Sequence, residues 1–303
     1  MQRVGLVLKP GQPNLTERAR ELVEWLTDRG ILAAAEEEVR SCLDSPHLAP
    51  LAEADFQNQD LLVVLGGDGT LLRAARLVGL SGVPLLGVNL GGLGFLTAVT
   101  TDELLPTLEK ILAGQLLPED RMRLAVQVVR GGETVFESVV LNDAVLTKGA
   151  LARIVDLTAA IDGRHLTDYR ADGLIIATPT GSTAYNLSAG GPILDPTLAA
   201  MILTPICPFT LANRPLVVAE TVRVAVRLGG RAEDVYLTCD GQEGLPLLPG
   251  DELTVCRSQN LKLFPSPFHD HLSILRTKLG WGVDRTSLSA SGEAKPERER
   301  DGK

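Results

Sequence analysis

The first third of the chain alternates between short apolar runs and amphipathic runs. Val4–Leu8, Leu61–Leu65 and Pro84–Val88 are apolar, which predicts buried parallel strands. Between the first two, apolar residues recur at helical spacing over 15–26 and a glycine follows, which indicates a helix that ends there. This alternation predicts a parallel sheet with helices on both faces, and ligands at the carboxyl ends of its strands.

From about residue 124 the alternation gives way to short β-rich runs separated by Gly and Pro turn signals. The runs are Leu124–Val129, Thr134–Val140, Ile154–Ile161, Leu174–Ala177, Thr221–Leu228, Val235–Cys239 and Glu252–Cys256. They predict an antiparallel β domain of sandwich type. A helix-like stretch follows at His269–Lys278, and the chain after about Asp284 lacks apolar periodicity, which is typical of disorder.

The predicted fold class is therefore α/β, with an N-terminal Rossmann-like parallel α/β domain and a C-terminal β-sandwich-type domain. A chain of 303 residues is long enough for either one large domain or two ordinary ones. The predicted divisions are 1–120 for the α/β domain, 121–266 for the β-rich domain, 267–284 for a C-terminal helix that packs back on the first domain, and 285–303 for a disordered tail.

Composition and charge exclude several classes of partner. The net charge of −9 argues against a nucleic-acid partner, which requires a basic face, and against electrostatic docking on anionic lipid. The longest apolar stretch, residues 84–99, falls short of the ~20 residues that span a bilayer, and a strand at the N-terminus leaves no room for a signal peptide. The four cysteines are widely spaced, which favours reduced core thiols in a cytoplasmic protein.

The first candidate for chemistry is the segment Gly66-Gly67-Asp68-Gly69-Thr70, between the Leu61–Leu65 strand and a helix-like run. Its glycines allow a sharp turn close to a ligand, and the helix start offers N–H groups to an anion. A carboxylate beside phosphates is repelled unless it holds a divalent metal or accepts a proton from a hydroxyl nucleophile. Asp68 therefore indicates phosphoryl transfer to an alcohol, although Gly and Asp also form ordinary turns.

Two further polar segments follow predicted strands. Asp172–Pro192 begins as a buried strand and continues into a turn and a short helix that ends at Gly190. The turn carries four small hydroxyl side chains: Thr178, Thr180, Ser182 and Thr183. One helix cap needs only one hydroxyl, so the cluster favours a polar nucleotide surface. The other segment, Asn142-Asp143, interrupts a strand and is also typical of an exposed strand edge or bulge.

Together these segments resemble the NAD kinases, along nearly the whole chain. The Gly66–Thr70 loop alone is shared with lipid kinases and 6-phosphofructokinases, whereas Asp172–Pro192 is much more specific. The matching segments, in order, are Gly66–Arg76, Gly91–Phe95, Leu141–Asp143, Asp172–Pro192, Asn213–Val217, Asp240–Gln242 and Lys278–Trp281.

The resemblance implies a reaction and the residues that carry it. The γ-phosphoryl group of ATP, or in some members of inorganic polyphosphate, is transferred to the 2′-hydroxyl of the adenosine ribose of NAD, and NADP forms. Asp68 matches the proton acceptor, Gly69 and Arg73 match positions near the substrate phosphates, and Asn142 and Asp143 match the pair that holds the adenosine. The implied phosphate loop is Gly66, Gly67, Gly69 and Thr70. Further implied NAD-binding residues are Arg153, Arg170, Asp172, Thr183, Ala184, Tyr185, Asn186, Leu187, Ser188 and Gln242.

The resemblance also implies cofactors and assembly. Mg²⁺ or a similar divalent cation accompanies ATP, without an assigned set of protein ligands. Some site residues come from across a subunit interface in the family, which implies a homodimer or homotetramer.

Three positions depart from the family pattern. Phe209 stands where many members have His, so any polar role there is absent. Asp143 replaces the common Glu, which keeps the charge but shortens the reach by one methylene. The position of Arg170 varies in the family, and Arg there is associated with a preference for NAD over NADH.

Two other functions remain as alternatives at this point. A lipid or sugar kinase would share the Asp68 loop. A lipid kinase would need a basic or amphipathic membrane-seeking surface, and a phosphofructokinase would need a Thr-Ile-Asp-x-Asp segment. The sequence shows neither. A nucleotide-binding regulator without turnover would be expected to have lost the Asp, whereas Asp68 is present.

Overall fold

The structure, a computed structural model, describes residues 1–9, 13–149, 154–210, 212–229 and 234–281. Arg153 and the predicted disordered tail at 285–303 lie outside these ranges.

The helices are α1 (Pro13–Asp28), α2 (Glu37–Leu43), α3 (Asp68–Leu77), α4 (Leu104–Leu112), α5 (Tyr185–Ser188) and α6 (His271–Leu279), with 3₁₀ helices at Glu53–Asn58 and Thr180–Thr183. The strands are β1 (Arg3–Leu8), β2 (Leu32–Ala35), β3 (Leu48–Pro50), β4 (Leu61–Leu65), β5 (Leu85–Asn89), β6 (Val99–Thr100), β7 (Glu119–Arg130), β8 (Glu133–Val140), β9 (Asp143–Lys148), β10 (Val155–Ile161), β11 (Arg164–Ala171), β12 (Gly173–Ala177), β13 (Ala200–Ile206), β14 (Leu216–Ala219), β15 (Val224–Leu228), β16 (Val235–Cys239), β17 (Glu243–Leu247) and β18 (Glu252–Leu263).

The N-terminal part is a parallel sheet in the order β3-β2-β1-β4-β5, with β6 beside β5. Strands β1 and β4 are almost wholly buried because apolar side chains point to both faces, as expected for a sheet covered by helices. One face packs on α1, through residues such as Leu22 and Leu26, and on α4. The other face packs on α3 through Leu71 and Ala74.

The C-terminal part is built from two antiparallel layers. The first layer continues the N-terminal sheet, because β18 pairs with β5 at Leu263 and Leu85 and then with β7 and β15. The second layer is a separate six-stranded sheet in the order β14-β13-β12-β9-β16-β17. The two layers enclose a core of Leu, Val, Ile and Ala side chains with few aromatic residues. The predicted combination of a parallel α/β part and a β-sandwich-type part is confirmed.

The C-terminal helix has a clear start and end. Asp270 caps α6, since its Oδ1 accepts the Ser273 N–H at 2.6 Å, and Gly280 ends the helix with a φ of 67°. His269, just before the helix, lies 2.8 Å from Glu103 beside α4. None of the described helices combines the length and apolar composition needed to cross a membrane.

The prediction of four core thiols is wrong for two of them. Cys239 is buried and Cys256 is half-buried, but Cys42 and Cys207 are exposed. Cys207 directly follows β13 and has a φ of 45°.

Candidate active site

The Asp68 loop lies where the parallel strands end. Strands β4 and β5 are neighbours, so the segments that follow them meet at the same edge of the sheet. The Gly66 N–H donates to Val88 O at 2.9 Å, and a Cβ on Gly66 would lie 2.5 Å from Thr70 Oγ1. The glycine is therefore required for the tight passage from β4 into α3.

The Asp68 carboxylate joins this loop to the segment that follows β5. Its Oδ1 accepts the N–H groups of Leu96 and Thr97 at 3.1 Å and the Thr97 hydroxyl at 3.0 Å. Its Oδ2 accepts the Phe95 N–H at 3.1 Å. Among the described residues no other donor contacts Oδ2, so this oxygen retains a lone pair for a further proton.

Gly94 has a specific reason to be glycine. A Cβ at this position would lie 2.3 Å from both Asp68 Oδ1 and Thr97 Oγ1. The Gly91–Phe95 motif thus allows the backbone to wrap around the Asp68 carboxylate. The sequence pointed to this motif but not to its contact with Asp68.

A cavity of about 620 Å³ opens beside the start of α3 and is lined by Gly67, Gly69 and Thr70 of the loop. The first turn of a helix leaves N–H groups without helical partners, and these favour an anion. Charged side chains of both signs line the cavity: Lys9, Arg73, Arg76, Glu36 and Glu38. Arg73, predicted to lie near the phosphates, faces this cavity, where its Nη2 contacts the two carboxylate oxygens of Glu36 at 2.7 and 2.8 Å.

The Asn142-Asp143 segment links β8 to β9 and is held by Asp240. The Asp240 carboxylate accepts the backbone N–H groups of Leu141, Asn142 and Asp143 at 2.9, 2.7 and 3.1 Å. Asp240 has a φ of 51° and Gly241 a φ of 64°, so they form the tight turn between β16 and β17. Sequence reasoning missed this role of Asp240, although Asp-Gly after a strand is a known hairpin signal.

Asp143 lies in a low-dielectric position. It is 4% exposed, and no described donor contacts its carboxyl group. Burial, reinforced by the nearby Asp240 carboxylate, raises the pKa of Asp143 to about 7. Burial also raises the pKa of Asp240, against the opposing effect of its three N–H partners.

The hydroxyl-rich turn after β12 supports the Asn142 segment. The Thr178 hydroxyl donates to Leu141 O at 2.6 Å and accepts the Gly181 N–H at 3.0 Å. The Ser182 hydroxyl bonds to the backbone of Leu194. Thr178 and Ser182 are both 0% exposed, so the prediction that these hydroxyls form a nucleotide surface is wrong for them. They hold the turn together.

The short helix α5 presents its predicted residues unequally. Asn186 is 0% exposed, and its side chain bonds to Ser182 O, Pro192 O and the Thr204 hydroxyl. Tyr185 and Ser188 are exposed, whereas Thr183, Ala184 and Leu187 are half-buried. The exposed part of α5 is therefore available to a ligand, and the Asn186 side chain anchors the turn.

One side chain joins the two halves of the site. Gln242, at the turn after β16, donates from Nε2 to Gly69 O at 2.7 Å. Through Gln242 and Asp240 the β hairpin contacts both the start of α3 and the Asn142 segment. Asp68, Gly69, Asn142, Asp143 and Gln242, predicted as one site, thus belong to one connected set of segments.

Arg170 and Asp172 lie at the other end of β12. Asp172 precedes this strand and the hydroxyl-rich turn follows it, so about five residues at ~3.3 Å each, roughly 16 Å, separate them. Asp172 lies 3.3 Å from Lys148, and Arg170 lies 3.2 Å from Asp156. Within one copy of the chain these two residues therefore lie at the end of β12 away from the hydroxyl-rich turn.

The comparisons with known proteins cover both halves of the chain. The family model for the ATP-NAD kinase N-terminal domain matches residues 4–116, and the model for the ATP-NAD kinase C-terminal domain matches residues 141–264. The chain belongs to the NAD kinase family. Among curated relatives, the NAD kinase of Syntrophobacter fumaroxidans is 49% identical over 284 residues, covering 93% of this chain and 99% of the relative. The NAD kinase of Geobacter metallireducens is 49% identical over 288 residues with the same coverage.

Two solved structures from this family share the fold. Yeast NADH kinase complexed with NADH superposes with a TM-score of 0.86 at 30% identity, covering 94% of this chain and 89% of that one. An NAD kinase from Archaeoglobus fulgidus in complex with ATP gives a TM-score of 0.71 at 26% identity, covering 92% and 98%.

Proposed function

We propose that this NAD kinase transfers the γ-phosphoryl group of ATP to the 2′-hydroxyl of the adenosine ribose of NAD and so produces NADP. The carboxylate of Asp68 carries the proposal. It lies at the first residue of α3, beside a cavity that the phosphate loop lines, and one of its oxygens retains a free lone pair. Membership in the NAD kinase family supports ATP and NAD as substrates. The free lone pair of Asp68 Oδ2 supports a role as the acceptor of the hydroxyl proton.

Asp68 would act through Oδ2. A ribose hydroxyl is a weak nucleophile at neutral pH, and a carboxylate that accepts its proton typically contributes about 10²–10⁴-fold. The three donors on Oδ1 fix the orientation of the carboxylate, so Oδ2 would accept the proton without a large loss of side-chain entropy. Asp68 is thus the proposed proton acceptor.

The cavity beside α3 would hold the phosphates of ATP. The N–H groups at the start of α3, together with Lys9 and Arg73, supply positive charge there. Phosphoryl transfer depends on alignment and on neutralising the charge of the moving group, and these donors would provide both.

A divalent cation would arrive with the triphosphate. Within the described ranges no three His, Cys, Asp or Glu side chains are grouped to hold a metal. Mg²⁺ in proteins usually keeps several waters and binds one or two carboxylates and substrate phosphates. Asp68, within the phosphate loop, would supply one such carboxylate, and the cation would neutralise phosphate charge.

NAD would bind between the Asp68 loop and the β domain, at Asn142, Asp143 and the exposed part of α5. The positions of Arg170 and Asp172 support an oligomer, because a second copy could supply them to a site that one copy leaves incomplete. A homodimer or homotetramer is accordingly part of the proposal. The wide spacing of the cysteines supports a reducing compartment, for which we propose the cytoplasm.

The direct test is an activity assay on the purified chain. ATP with Mg²⁺ and NAD should give NADP, measured by an enzymatic cycling assay specific for NADP. Parallel assays with polyphosphate as donor and with NADH as acceptor define the substrate range. The rate of phosphorylation should be higher with NAD than with NADH. No product from any combination of donor, acceptor and divalent metal would refute the proposed activity.

A further inference from the structure

Arg73 and Glu36 form an ion pair across the cavity beside α3. Arg73 lies on the second turn of α3, and Glu36 lies between β2 and α2. The Arg73 Nη2 contacts Glu36 Oε1 at 2.7 Å and Oε2 at 2.8 Å. Both residues line the cavity together with the phosphate loop, so the pair occupies space beside the place where phosphates would bind.

Glu36 is unexpected in this position. A carboxylate in a cavity that receives a polyanion repels it, by the same argument that singled out Asp68. Unlike Asp68, Glu36 directs both of its oxygens at a cation. Family resemblance assigns Arg73 to the substrate phosphates but gives Glu36 no role.

The geometry of the pair leaves it easy to break. Only Nη2 of Arg73 is engaged, and within the described part of the chain no acceptor contacts Nε or Nη1. The side chains are 40% and 26% exposed, and ion pairs with this exposure are weak because water screens them. A phosphate, in contrast, can accept two parallel hydrogen bonds from one guanidinium group.

We propose that Glu36 holds Arg73 as a substitute for the phosphates of the donor, and that a triphosphate displaces Glu36 when it binds. The inference rests on the proposed function, since it requires the donor to occupy this cavity. Glu36 is then a positioning residue that acts through Arg73. It keeps the guanidinium group extended across the empty cavity and lowers the affinity for the donor, because the pair must break first.

Glu38 provides a matched control. It lines the same cavity and carries the same charge, but no described cation pairs with it. A Glu38→Gln variant therefore removes one negative charge from the cavity without releasing Arg73. Any effect shared by the two glutamates reports general repulsion of the polyanion, and an effect confined to Glu36 reports the ion pair.

The test compares Glu36→Gln, Glu38→Gln, Arg73→Met and the double variant Glu36→Gln/Arg73→Met. Glu36→Gln should lower the KM for ATP about two- to fivefold, the range that an exposed ion pair carries, while the KM for NAD changes much less. Glu38→Gln should change the KM for ATP less than Glu36→Gln does. In the Arg73→Met background, Glu36→Gln should change the KM for ATP no more than Glu38→Gln changes it in the wild type.

A binding measurement separates affinity from turnover. Calorimetric titration with the β,γ-methylene analogue of ATP and Mg²⁺ should give the same order of affinities. The proposal is overturned if Glu36→Gln leaves the donor affinity unchanged or lowers it, if Glu38→Gln produces an equal gain, or if the full gain persists without Arg73. A wild-type chain that makes no NADP would instead refute the proposed function.

Discussion

Asp68 at the start of α3 and Asp143 at the start of β9 are both carboxylates beside tight turns, but their surroundings differ. Asp68 is half-buried and accepts four hydrogen bonds, three of them from backbone N–H groups. Asp143 is 4% exposed, lies near the Asp240 carboxylate, and no described donor contacts its carboxyl group. N–H donors stabilise a carboxylate, whereas burial beside a like charge destabilises it.

This difference gives the two carboxyl groups different hydrogen-bonding roles. The N–H groups around Asp68 fix the orientation of its carboxyl group. Burial and Asp240 raise the pKa of Asp143 to about 7, so near neutral pH a large part of Asp143 is protonated and able to donate a hydrogen bond. Two residues of the same type, in one site, are thereby suited to opposite tasks.

Asp68→Asn tests the acceptor end and should have the largest effect. The amide cannot accept a proton at the position of Oδ2, so kcat should fall about 10²–10⁴-fold. The loss of one hydrogen bond from Phe95 should cost only about 1–2 kcal/mol of unfolding free energy. Steady-state kinetics and chemical denaturation measure the two quantities.

Thr97→Val is the matched control for this substitution. It removes the hydroxyl that donates to Asp68 Oδ1 and leaves the carboxylate in place. We expect kcat to stay within about tenfold of wild type, because Oδ1 keeps two backbone donors. Equal losses in Thr97→Val and Asp68→Asn would show that Asp68 serves to anchor the loop, and the proton-acceptor role would be excluded.

Asp143→Asn tests the buried end through the pH dependence of stability. The folded-state pKa of Asp143, about 7, exceeds its ordinary value of 3.8, so the folded state binds the proton more tightly than the unfolded state. The resulting stability is fully present below about pH 4 and is lost as the pH rises through 7. A shift of this size corresponds to about 4 kcal/mol.

Denaturation of wild type and Asp143→Asn at pH 4 and pH 8 measures this contribution. Relative to the wild type, the variant should gain up to about 4 kcal/mol of unfolding free energy between the two pH values. Asp102→Asn is a suitable control, because that side chain is 82% exposed and the same substitution there should add little pH dependence. A wild type and an Asp143→Asn variant with parallel pH profiles would contradict the raised pKa.

The sequence predicted the segments that carry Asp68 and Asp143 more readily than the long-range contacts that hold them. The strand Leu61–Leu65 and the turn after it were predicted at their observed positions, because an apolar run followed by glycines has few alternatives. Val235–Cys239 was predicted with the same success. Glu36 with Arg73, and Asp240 with Leu141, are 37 and 99 residues apart, and no local pattern encodes such pairs.

Pro and Gly account for two of the strands that were missed. Strand β17 contains Gly244 and Pro246, which favour a turn, but it is an edge strand that pairs only with β16, where Pro is tolerated. Strand β13 contains Pro205, which lies opposite Leu174 of β12 and beyond the residues that pair with β14. Pro has no N–H to donate to a neighbouring strand. In both strands the Pro lies where one side of the strand has no paired neighbour.

Gln242→Leu tests the link between the two ends and should have the smallest effect. The hydrogen bond from Gln242 Nε2 to Gly69 O is exposed, so its loss should cost about 0.5–1 kcal/mol of unfolding free energy at most. If Gln242 mainly sets the distance between the Asp68 loop and the Asn142 segment, kcat should fall about two- to fivefold and the KM for NAD should change little. A rise in the KM for NAD with an unchanged kcat would instead identify Gln242 as a contact to the nucleotide. The Asp68 loop and the Asn142 segment would then be aligned by Asp240 and the sheet, and the bond from Gln242 to Gly69 O would contribute little to that alignment.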